Sequence, residues 1–365
     1  MSGPAAGGPA AGGPAAGGSA APPGRRRRRP LFIAVAALLI LAVAGAAYLL
    51  SRPRAETSAT PATSATPAAA PESSAAPSPT PTPTPTPEPP PAAMNILLVG
   101  SDSRVNARAA AAAGALSDQR GDVLVFIHLP ADRQSVYGIS IMRDLWVNIP
   151  GYGAAKANAG LELGGLPLQT QTVAALLGQH IDQTLMLDFE GFAALTDALG
   201  GVDVDVRLPF SSTVDTPYYF PPGLNRLNGP QALSFVRERH AFIDGDYQRV
   251  RNQQTFLKAA LAKLTNEGAL ADRGTVRKLV QTVLPHVTLN PGLSLESLER
   301  LVYSLRSTAP GRGVFFTLPT AGTGTSRDGQ SIVLQDPAAT AAVSAALAAQ
   351  TLAEYVAANN LQNGN

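Results

Sequence analysis

The chain has 365 residues, with 34 glycines, 32 prolines, no cysteine and a formal net charge of +2. This length allows one large or two ordinary domains, and the lack of cysteine excludes disulfides, thiolate nucleophiles and cysteine-based zinc sites. Residues 1–54 hold seven of the 28 basic residues and no acidic residue, so residues 55–365 carry 21 basic against 26 acidic residues, a net charge of −5. That acidic balance argues against general nucleic-acid binding.

The first 93 residues predict a membrane anchor followed by a linker. Residues 1–30, a Gly-Pro-Ala repeat followed by five consecutive arginines, are predicted to be a disordered cytoplasmic tail. The run Leu31–Leu50 is twenty residues long and uncharged, and a helix needs about 20 apolar residues to cross a bilayer. Because positive flanks stay in the cytoplasm, everything after this single-pass helix is predicted to lie outside the cell membrane. Residues 51–93, rich in proline, threonine and alanine, predict an extended linker.

These N-terminal segments allow two other interpretations. A cleaved signal peptide would explain part of the apolar run, but the apolar region of such a peptide measures only about 7–15 residues. The block Arg25–Arg29 would suit a nucleic-acid-binding tail if it stood alone. Its position beside a predicted membrane-spanning helix favours the role of a topology signal instead.

Strand and helix patterns alternate over residues 94–356. Three apolar runs predict strands: NILLVGSDSR, RGDVLVFIHLP and the run from Val136 to Ile141. Further strands are predicted at LMLDF, VDVDVRLPF, GVFFTLP and SIVLQ, with helices between them and a last helix capped by Asp336. Residues 211–227 predict a long loop, and residues 357–365 predict a frayed tail. The alternation predicts one domain of the α/β class, a three-layer α/β/α sandwich with a central mixed sheet.

Each of the first three predicted strands has a carboxylate and an arginine at one end. The pairs are Asp102 with Arg104, Asp122 with Arg120, and Asp144 with Arg143. The alanine-rich segment 107–117, between the first two strands, predicts a surface insertion. A single aspartate of this kind is typical of a turn or a structural salt bridge, whereas several beside arginines are typical of a phosphate site.

The stretch Phe235–Gln254 concentrates basic side chains. It carries four arginines: Arg237, Arg239, Arg249 and Arg251. The pattern predicts two helices that meet at a glycine-containing elbow, with Asp246 as the cap of the second and with Arg249 and Gln253 on one face. Arginine offers phosphate a planar fork of donors and keeps its charge, so convergent arginines would bind an anion. The alternative is a solvated charged face with ion pairs among the arginines, Glu238 and the aspartates.

The motifs of several enzyme classes are missing from the sequence, which has no P-loop, no dinucleotide-binding glycine pattern, no G-x-S-x-G and no H-E-x-x-H. Of the four histidines, His128 lies in an apolar strand and is predicted to be a core residue. His240 adjoins the elbow and is a candidate for contact with the substrate. The remaining aspartates and arginines suit Mg²⁺, or Mn²⁺, held by carboxylates and shared with phosphates. They also suit phosphoryl transfer, because its catalysis is mostly positioning and charge neutralisation.

Seven sequence blocks resemble, in order, those of the LytR–CpsA–Psr family. They are NILLVGSDSR, RGDVLVFIHL, ISIMRDLWVNIPG, KANAG, FEGFAALTDALGGVDVDV, LNGPQALSFVRER and GDYQRVRNQQ. The resemblance spans about residues 95–264, and PTAGTGT with SIVLQD resembles the end of the same domain. It implies a membrane-anchored transferase that moves an anionic glycopolymer, as a phosphate ester, from a polyprenyl-diphosphate carrier onto a sugar hydroxyl of peptidoglycan, with the help of Mg²⁺.

The resemblance also implies roles for individual residues. Asp102 and Asp122 match the carboxylates of the family's Mg²⁺ site. The implied diphosphate-binding residues are Arg120, Arg143, Arg237, Arg239 and Arg249, supported by Asp246 and Gln253, and we add Arg104 at the end of the first strand. Arg143 would also act in catalysis, and either Asp122 or Asp144 would accept the proton of the attacking hydroxyl. An apolar pocket between sheet and helices would take the lipid tail.

The chain departs from the family pattern in three places. The segment 107–117 lengthens the loop after the first strand, RGD replaces the usual R-S-D, and Asn252 stands where an arginine is frequent, with Arg251 one place earlier. One residue turns a helical side chain by about 100°. We therefore predict Arg249, and not Arg251, as a ligand of the diphosphate.

Two rival functions would use the same residues. A polyprenyl-diphosphate hydrolase on this fold would transfer the phosphate ester to water. A non-catalytic polymer-binding or regulatory protein of the cell envelope would use the arginines only to hold an anionic polymer. The alanine-, proline- and arginine-rich composition indicates a GC-rich actinobacterial source, for which arabinogalactan-like or teichoic-acid-type polymers are the candidate cargo.

Overall fold

The computed structural model describes residues 92–101, 112–114, 120–214, 217–266, 270, 272–289, 295–309 and 311–363. The predicted tail, the predicted membrane-spanning run Leu31–Leu50 and almost all of the predicted linker lie outside these residues, as do Asp102, Arg104 and most of the segment 107–117. Within the described ranges, no helix combines the length and the apolar character that crossing a bilayer requires.

The strands form one central sheet and several two-stranded sheets. In chain order they are β1 (Met94–Ser101), β2 (Gly121–Leu129), β3 (Val136–Ile141), β4 (Trp146–Ile149), β5 (Gly153–Lys156), β6 (Gln183–Asp188), β7 (Val202–Val206), β8 (Phe210–Ser211), β9 (Tyr219–Phe220), β10 (Gly223–Leu227), β11 (Val287–Leu289), β12 (Gly313–Thr317), β13 (Thr320–Thr325) and β14 (Ser331–Gln335). The central sheet has the order β11–β6–β1–β2–β3–β12. In it β1 pairs antiparallel with β2 and parallel with β6, so the sheet is mixed, as predicted.

Four of the eight helices in the described residues begin after a residue whose side chain caps them. In chain order they are α1 (Ala159–Leu177), α2 (Phe189–Ala198), α3 (Gly229–Arg237), α4 (Asp246–Asn266), α5 (Arg273–Val283), α6 (Leu295–Ser304), α7 (Pro337–Ala348) and α8 (Leu352–Ala358). The side chain of Asn228 accepts a hydrogen bond at the start of α3, and the side chain of Asp336 does so at the start of α7. Such caps satisfy backbone N–H groups that have no partner within the helix.

The apolar residues of β1 alternate between two cores. Ile96 and Leu98 belong to the core that the helices from α2 to α6 share. Leu97 and Val99 belong to the core that α1, α7 and α8 share. Because both faces of the sheet are buried, β1 is a continuous apolar run, which is typical of sheets covered on both sides. The predicted three-layer α/β/α arrangement is therefore observed in the described residues.

The structure corrects the predicted elements in three places. The predicted loop 211–227 contains short strands, and β10 pairs antiparallel with β7. The hairpin of β4 and β5 was not predicted, because β5 is made of small, partly exposed residues that lack a strand pattern. The predicted fray of residues 357–365 is wrong as far as residue 363, since α8 extends to Ala358 and Leu361 is buried in a 3₁₀ turn.

Three consecutive buried amides hold α4 in place. Gln254 Nε2 donates hydrogen bonds to the hydroxyls of Ser140 on β3 and Thr317 on β12, at 3.1 and 3.0 Å. On the side that faces α3, Asn252 and Gln253 donate to backbone carbonyls of that helix, each at 3.2 Å. The three amides therefore fix the rotation of α4 about its axis and its position on the sheet. They thereby also fix the direction in which the arginine on its first turn points.

Replacing Gln254 with alanine should destabilise the fold. We expect Gln254→Ala to lower the free energy of unfolding by about 2–3 kcal/mol, because two hydrogen bonds are lost and two buried hydroxyls lose a partner. Urea unfolding of the full chain followed by circular dichroism measures this difference. Gln281→Ala, at an exposed position of α5, is the matched control and should change the value by no more than about 0.5 kcal/mol. Equal effects of the two substitutions would contradict the assignment.

Candidate active site

A cavity of about 300 Å³, here called the apolar cavity, lies between the central sheet and helices α2, α3 and α4. Its walls are mostly aliphatic and aromatic: Leu98, Val123, Leu187, Phe189, Phe192, Leu195, Val214, Leu233, Val236, Phe256, Leu257 and Ala260. Its polar lining consists of Asp122, Arg143, Asp188, Arg237, Arg239, His240, Arg249 and Gln253. The cavity is therefore amphiphilic, which suits a ligand with a hydrocarbon part and an anionic part.

Arg143, two residues after β3, forms ion pairs with three carboxylates. Its Nη1 donates a hydrogen bond of 2.8 Å to Asp122 Oδ1, its Nε lies 3.4 Å from Asp144 Oδ2, and its Nη2 lies 3.6 Å from Asp246 Oδ2. Burial by itself lowers the pKa of Arg143, but the hydrogen bond to Asp122 and the surrounding carboxylate charges raise it above its ordinary value. The guanidinium is thus held in one position as a permanent cation.

Arg249 is the most deeply buried cation that lines the apolar cavity. It is 7% exposed, its Nη2 lies 3.0 Å from Asp246 Oδ1, and its Nε has no hydrogen-bond partner among the described residues. Burial lowers the pKa of Arg249, and repulsion by Arg143 lowers it further, although Asp246 and Asp122 oppose the shift. A buried cation with a free donor and a like charge beside it would be stabilised by a bound anion.

Two further arginines come from the end of α3 and the elbow that follows it. The guanidinium of Arg237 lies over the ring of Phe189, 4.2 Å from its centroid. Arg239 Nη1 lies 3.7 Å from Asp246 Oδ1, and Arg239 Nε donates to Nε2 of His240 at 3.3 Å. The cavity lining thus carries four arginines and two aspartates, and Asp144 and Asp246 pair with three of these arginines from beside the cavity.

The elbow between α3 and α4 is organised by a buried carboxylate, Glu238. The residue has no exposed surface, and Oε1 accepts hydrogen bonds from the backbone N–H groups of Arg239, His240 and Ala241, at 2.8, 2.7 and 3.1 Å. Oε2 accepts from the backbone N–H of Thr213, next to the cavity-lining Val214. Burial by itself raises the pKa of Glu238, but these hydrogen bonds outweigh it and hold the pKa below its ordinary value.

A second cavity of about 530 Å³, here called the polar cleft, shares Arg143 and Arg239 with the apolar cavity. Its other lining residues are Arg120, Asp144, Ala155, Lys156, Asn158, Ala159, Glu162, Asp246, Gln330 and Ser331. Asp144 Oδ1 lies 2.9 Å from Lys156 Nζ, and Arg120 Nε donates to Glu162 Oε2 at 3.3 Å. Arg120 and Asp144 therefore line the polar cleft, whereas the apolar cavity is lined by Arg143, Arg237, Arg239 and Arg249.

The described residues contain one half of the predicted metal pair. Asp122 faces the apolar cavity with a carboxylate that is 30% exposed, and oxygen donors of this kind suit a hard divalent cation. Within the described ranges, no group of three or more acidic or histidine side chains is arranged to hold a metal. Ser101, which precedes Asp102, pairs with Gly121, which precedes Asp122. The carboxylate of Asp122 therefore lies at the end of the sheet where the chain continues from β1 to Asp102, and its oxygen donors are compatible with a divalent cation there.

The structure brings most of the predicted site residues together. The apolar cavity is lined by Asp122, Arg143, Arg237, Arg239, Arg249 and Gln253, and Asp246 bridges three of these arginines. Arg251, two residues after Arg249, is ion-paired with Asp244 and lines neither cavity. Of the histidines, His240 lines the apolar cavity, while His128 is a buried core residue whose pKa is lowered to about 4 by burial and by Arg133.

Sequence reasoning missed three residues of the site. Lys156 stands in the KANAG block, so its charge beside Asp144 could have been suspected. Asp188 ends β6 in the cavity wall and caps α2 by accepting a hydrogen bond from Gly191 N. Glu238 gives no signal, because a glutamate between two arginines is typical of an exposed charged face.

The chain is similar to proteins of one family. The sequence model of the LytR_cpsA_psr family matches residues 63–348. The chain is 30% identical over 283 residues to the cell wall biosynthesis protein LcpA of Corynebacterium glutamicum, covering 67% of this chain and 53% of that protein. It is 31% identical over 189 residues to the polyisoprenyl-teichoic acid–peptidoglycan teichoic acid transferase TagU of Bacillus mycoides, covering 52% and 58% of the two proteins. The chain spans a little over half the length of these curated relatives.

A solved structure has the same fold. The crystal structure of TagV of Bacillus subtilis superimposes with a TM-score of 0.60 at 22% sequence identity. The match covers 71% of this chain and 97% of that one. At this identity the likeness concerns the arrangement of strands and helices alone.

Glu238 should contribute stability that depends on pH. We expect Glu238→Gln to lower the free energy of unfolding at pH 7 by about 1–3 kcal/mol, because the charged acceptor of several backbone N–H groups is lost. The pKa of Glu238 is lowered by folding, so this contribution is complete above the unfolded pKa and disappears as the pH falls through the lowered folded pKa. Urea unfolding of both proteins at neutral and acidic pH measures the difference.

The matched control for this measurement is Glu354→Gln, at an exposed position in the first turn of α8. Its effect should stay within about 0.5 kcal/mol at either pH. A Glu238→Gln protein as stable as the parent at pH 7 would contradict the assigned role.

Proposed function

Because the chain belongs to the LytR_cpsA_psr family, we propose that it is a transferase of cell-wall assembly. It moves a glycopolymer, as a phosphate ester, from a polyprenyl-diphosphate carrier onto a sugar hydroxyl of peptidoglycan. The hydroxyl oxygen bonds to the phosphorus that bears the glycopolymer, and the bond from that phosphorus to the bridging oxygen breaks. Polyprenyl phosphate leaves, and the hydroxyl proton passes to a carboxylate. The protein works outside the membrane in which the predicted helix Leu31–Leu50 anchors it.

The observation that carries this proposal is the amphiphilic character of the apolar cavity. Aliphatic and aromatic residues of the sheet, α2, α3 and α4 line it, and such a wall suits a polyprenyl chain. Four arginines line its polar part, and a diphosphate with its negative charges suits them. A water-soluble anion such as a nucleic acid would make no favourable contacts with the apolar wall.

The arginines would act mainly by position. Arg143 is fixed by three carboxylates before any ligand binds, so it needs no reorganisation when negative charge develops on phosphate oxygens. Arg249 is buried, where its charge acts with little screening by water. Gln253 would support them indirectly, because its amide donates to Val236 O and holds the two arginine helices together.

The metal remains part of the proposal. Mg²⁺, or Mn²⁺ in its place, would be held by Asp122 together with Asp102. When bound, the ion would neutralise charge on the diphosphate oxygens as a Lewis acid. The pairing of Ser101 with Gly121 supports this, because it brings the end of β1, from which Asp102 follows, to the start of β2, which carries Asp122. Arg104 is proposed as a further diphosphate ligand from the same end of β1.

Arg249 provides the sharpest test of the proposed activity. We expect Arg249→Ala to lower kcat for transfer from a polyprenyl-diphosphate-linked saccharide to peptidoglycan by about 10²–10³, the cost of removing one donor from a charge-stabilising site. Arg251→Ala removes the same side chain from the same helix outside the cavity, so its rate should stay near that of the parent. Radiolabelled donor and full-length protein in detergent micelles measure both rates. Equal rates for the two variants would refute the arginine site, and released polymer in place of wall-bound polymer would identify a hydrolase.

The proton acceptor is tested by two asparagine variants. Both oxygens of Asp144 lie within 3.4 Å of cations, whereas Asp122 contacts Arg143 through Oδ1. We therefore expect Asp122→Asn to lower the rate by about 10²–10⁴ and Asp144→Asn to lower it less. Transfer assays over a range of Mg²⁺ concentrations separate the roles of Asp122, because a metal-binding defect is partly restored by more Mg²⁺ and a lost base is not. Either variant at full rate rules out that aspartate as the base.

A further inference from the structure

Large apolar side chains stay exposed mainly in one part of the described surface. Six such side chains are exposed in the described residues, and four of them lie in the ribbon of β7 to β10 or in the elbow after α3. These four, here called the apolar rim, are Leu208, Tyr219, Leu224 and Ile243. Ile243 is fully exposed, and Leu208 and Leu224 line the same cavity between the ribbon and α4. A concentration of exposed apolar side chains indicates an interaction surface.

Stacked rings hold the ribbon against the elbow. Phe210 on β8 packs on Phe242 of the elbow and on Phe220 of β9, with 4.8 Å between ring centroids in both pairs. Ile243 directly follows Phe242, and Tyr219 directly precedes Phe220. The two exposed side chains are therefore attached to one buried aromatic cluster, which keeps them close together on the surface.

The apolar rim adjoins the apolar cavity. Val214, which follows β8, lines this cavity, and so do Arg239 and His240 of the elbow. The two segments that carry Tyr219 and Ile243 therefore also form part of the cavity wall. A hydrocarbon chain that leaves the cavity between these segments would meet the rim first.

The apolar cavity is small for the proposed carrier. Its volume of about 300 Å³ is at the lower limit for pockets that hold drug-sized ligands. A polyprenyl chain of many isoprene units is larger than such a ligand, so the cavity holds only the part next to the diphosphate. The remainder needs an apolar environment beside the cavity, and the core of a lipid bilayer provides one.

The charges near the apolar rim suit a lipid surface. Residues 207–243 carry four arginines against two acidic residues, Asp215 and Glu238, and Glu238 is fully buried. This positive balance stands within residues 55–365, whose net charge is −5. Apolar side chains with basic residues beside them are the combination that binds the interface of a membrane containing anionic lipids.

We infer that the apolar rim docks on the outer surface of the membrane, an inference that rests on the proposed function. Ile243 inserts among the acyl chains, and Tyr219 lies at the level of the headgroups, where aromatic rings with a polar end are favoured. The carrier then passes between the bilayer and the apolar cavity without exposing its hydrocarbon chain to water. The competing occupant of the rim is a second copy of this chain, and the experiment separates the two.

The first part of the test measures insertion directly. The chain has no cysteine, so Ile243→Cys in the full chain can be labelled at one position with an environment-sensitive NBD dye. The labelled protein is reconstituted into vesicles of phosphatidylglycerol and phosphatidylcholine. Nitroxide-labelled phosphatidylcholine should quench the dye at residue 243, because only a dye that contacts lipid meets the nitroxide. Tyr152→Cys, at an exposed apolar position outside the rim, is the matched control and should not be quenched.

Equal quenching at the two positions, or none at either, would overturn the inference. A blue-shifted emission at residue 243 that increases with protein concentration and is not quenched by lipid would identify a contact between two copies instead. This measurement requires no transfer, so it remains decisive if the parent protein proves inactive. Absence of transfer in the parent would count against the proposed function alone.

The second part measures delivery of the carrier. Ile243→Glu should raise KM for a long-chain polyprenyl-diphosphate donor in vesicles by about tenfold or more, because an inserted apolar side chain is replaced by a charge. KM for a donor with a short, water-soluble prenyl group should stay unchanged. Tyr152→Glu makes the same change outside the rim and should leave both values at those of the parent. An unchanged KM for the long-chain donor in Ile243→Glu would overturn the role of the rim in delivery.

Discussion

One carboxylate, that of Asp246, holds three arginines together against their mutual repulsion. Arg249 and Arg239 approach its Oδ1 at 3.0 and 3.7 Å, and Arg143 approaches its Oδ2 at 3.6 Å. Like charges this close in a partly buried site repel strongly because water screens them little. Asp246 offsets only part of that repulsion. Asp122 and Asp144 offset more of it at Arg143. Arg249, whose Nε has no hydrogen-bond partner among the described residues, is the guanidinium that a bound anion would stabilise most.

Such a cluster persists only on a rigid support. The arginines come from three places, the end of β3, the end of α3 with its elbow, and the first turn of α4. Buried amides on α4 attach that helix to the sheet and to α3, and Glu238 ties the elbow to the chain near Thr213. Each attachment uses a buried polar group whose hydrogen bonds are made. Breaking such a bond is costly, so these groups hold the elements in one arrangement.

The two cavities share Arg143 and Arg239, and they differ in the polarity of their linings. The apolar cavity lies on the side of the helices from α2 to α4, and the polar cleft is lined by β5, the start of α1 and the turn before β14. Phosphoryl transfer needs little covalent chemistry from the protein but accurate placement of both reactants. Under the proposed function, Arg143 and Arg239 would hold the diphosphate of the donor where the apolar and the polar cavity meet.

The sequence by itself determined the family, which the match over residues 63–348 confirmed, and the elements whose signal is local. β3 was predicted as Val136–Ile141 and is observed there, because a strand buried on both faces is predominantly apolar. The departure from the family's motif, with the turn of about 100° per helical residue, predicted Arg249 rather than Arg251 as a diphosphate ligand. The structure places Arg249 in the lining of the apolar cavity and Arg251 in an ion pair with Asp244, and the role in binding diphosphate stays a prediction.

Only the tertiary structure decided which distant charges meet. Arg143 and Asp246 are about a hundred residues apart, and their contact follows from how α4 lies on the sheet rather than from any local pattern. The same holds for Glu238, whose neighbours predict an exposed position and whose burial depends on the chain near Thr213. Local propensity and periodicity indicate which face of an element is buried. Which charges pair across a cavity depends on how the elements pack against one another, and a local sequence pattern carries no information about that packing.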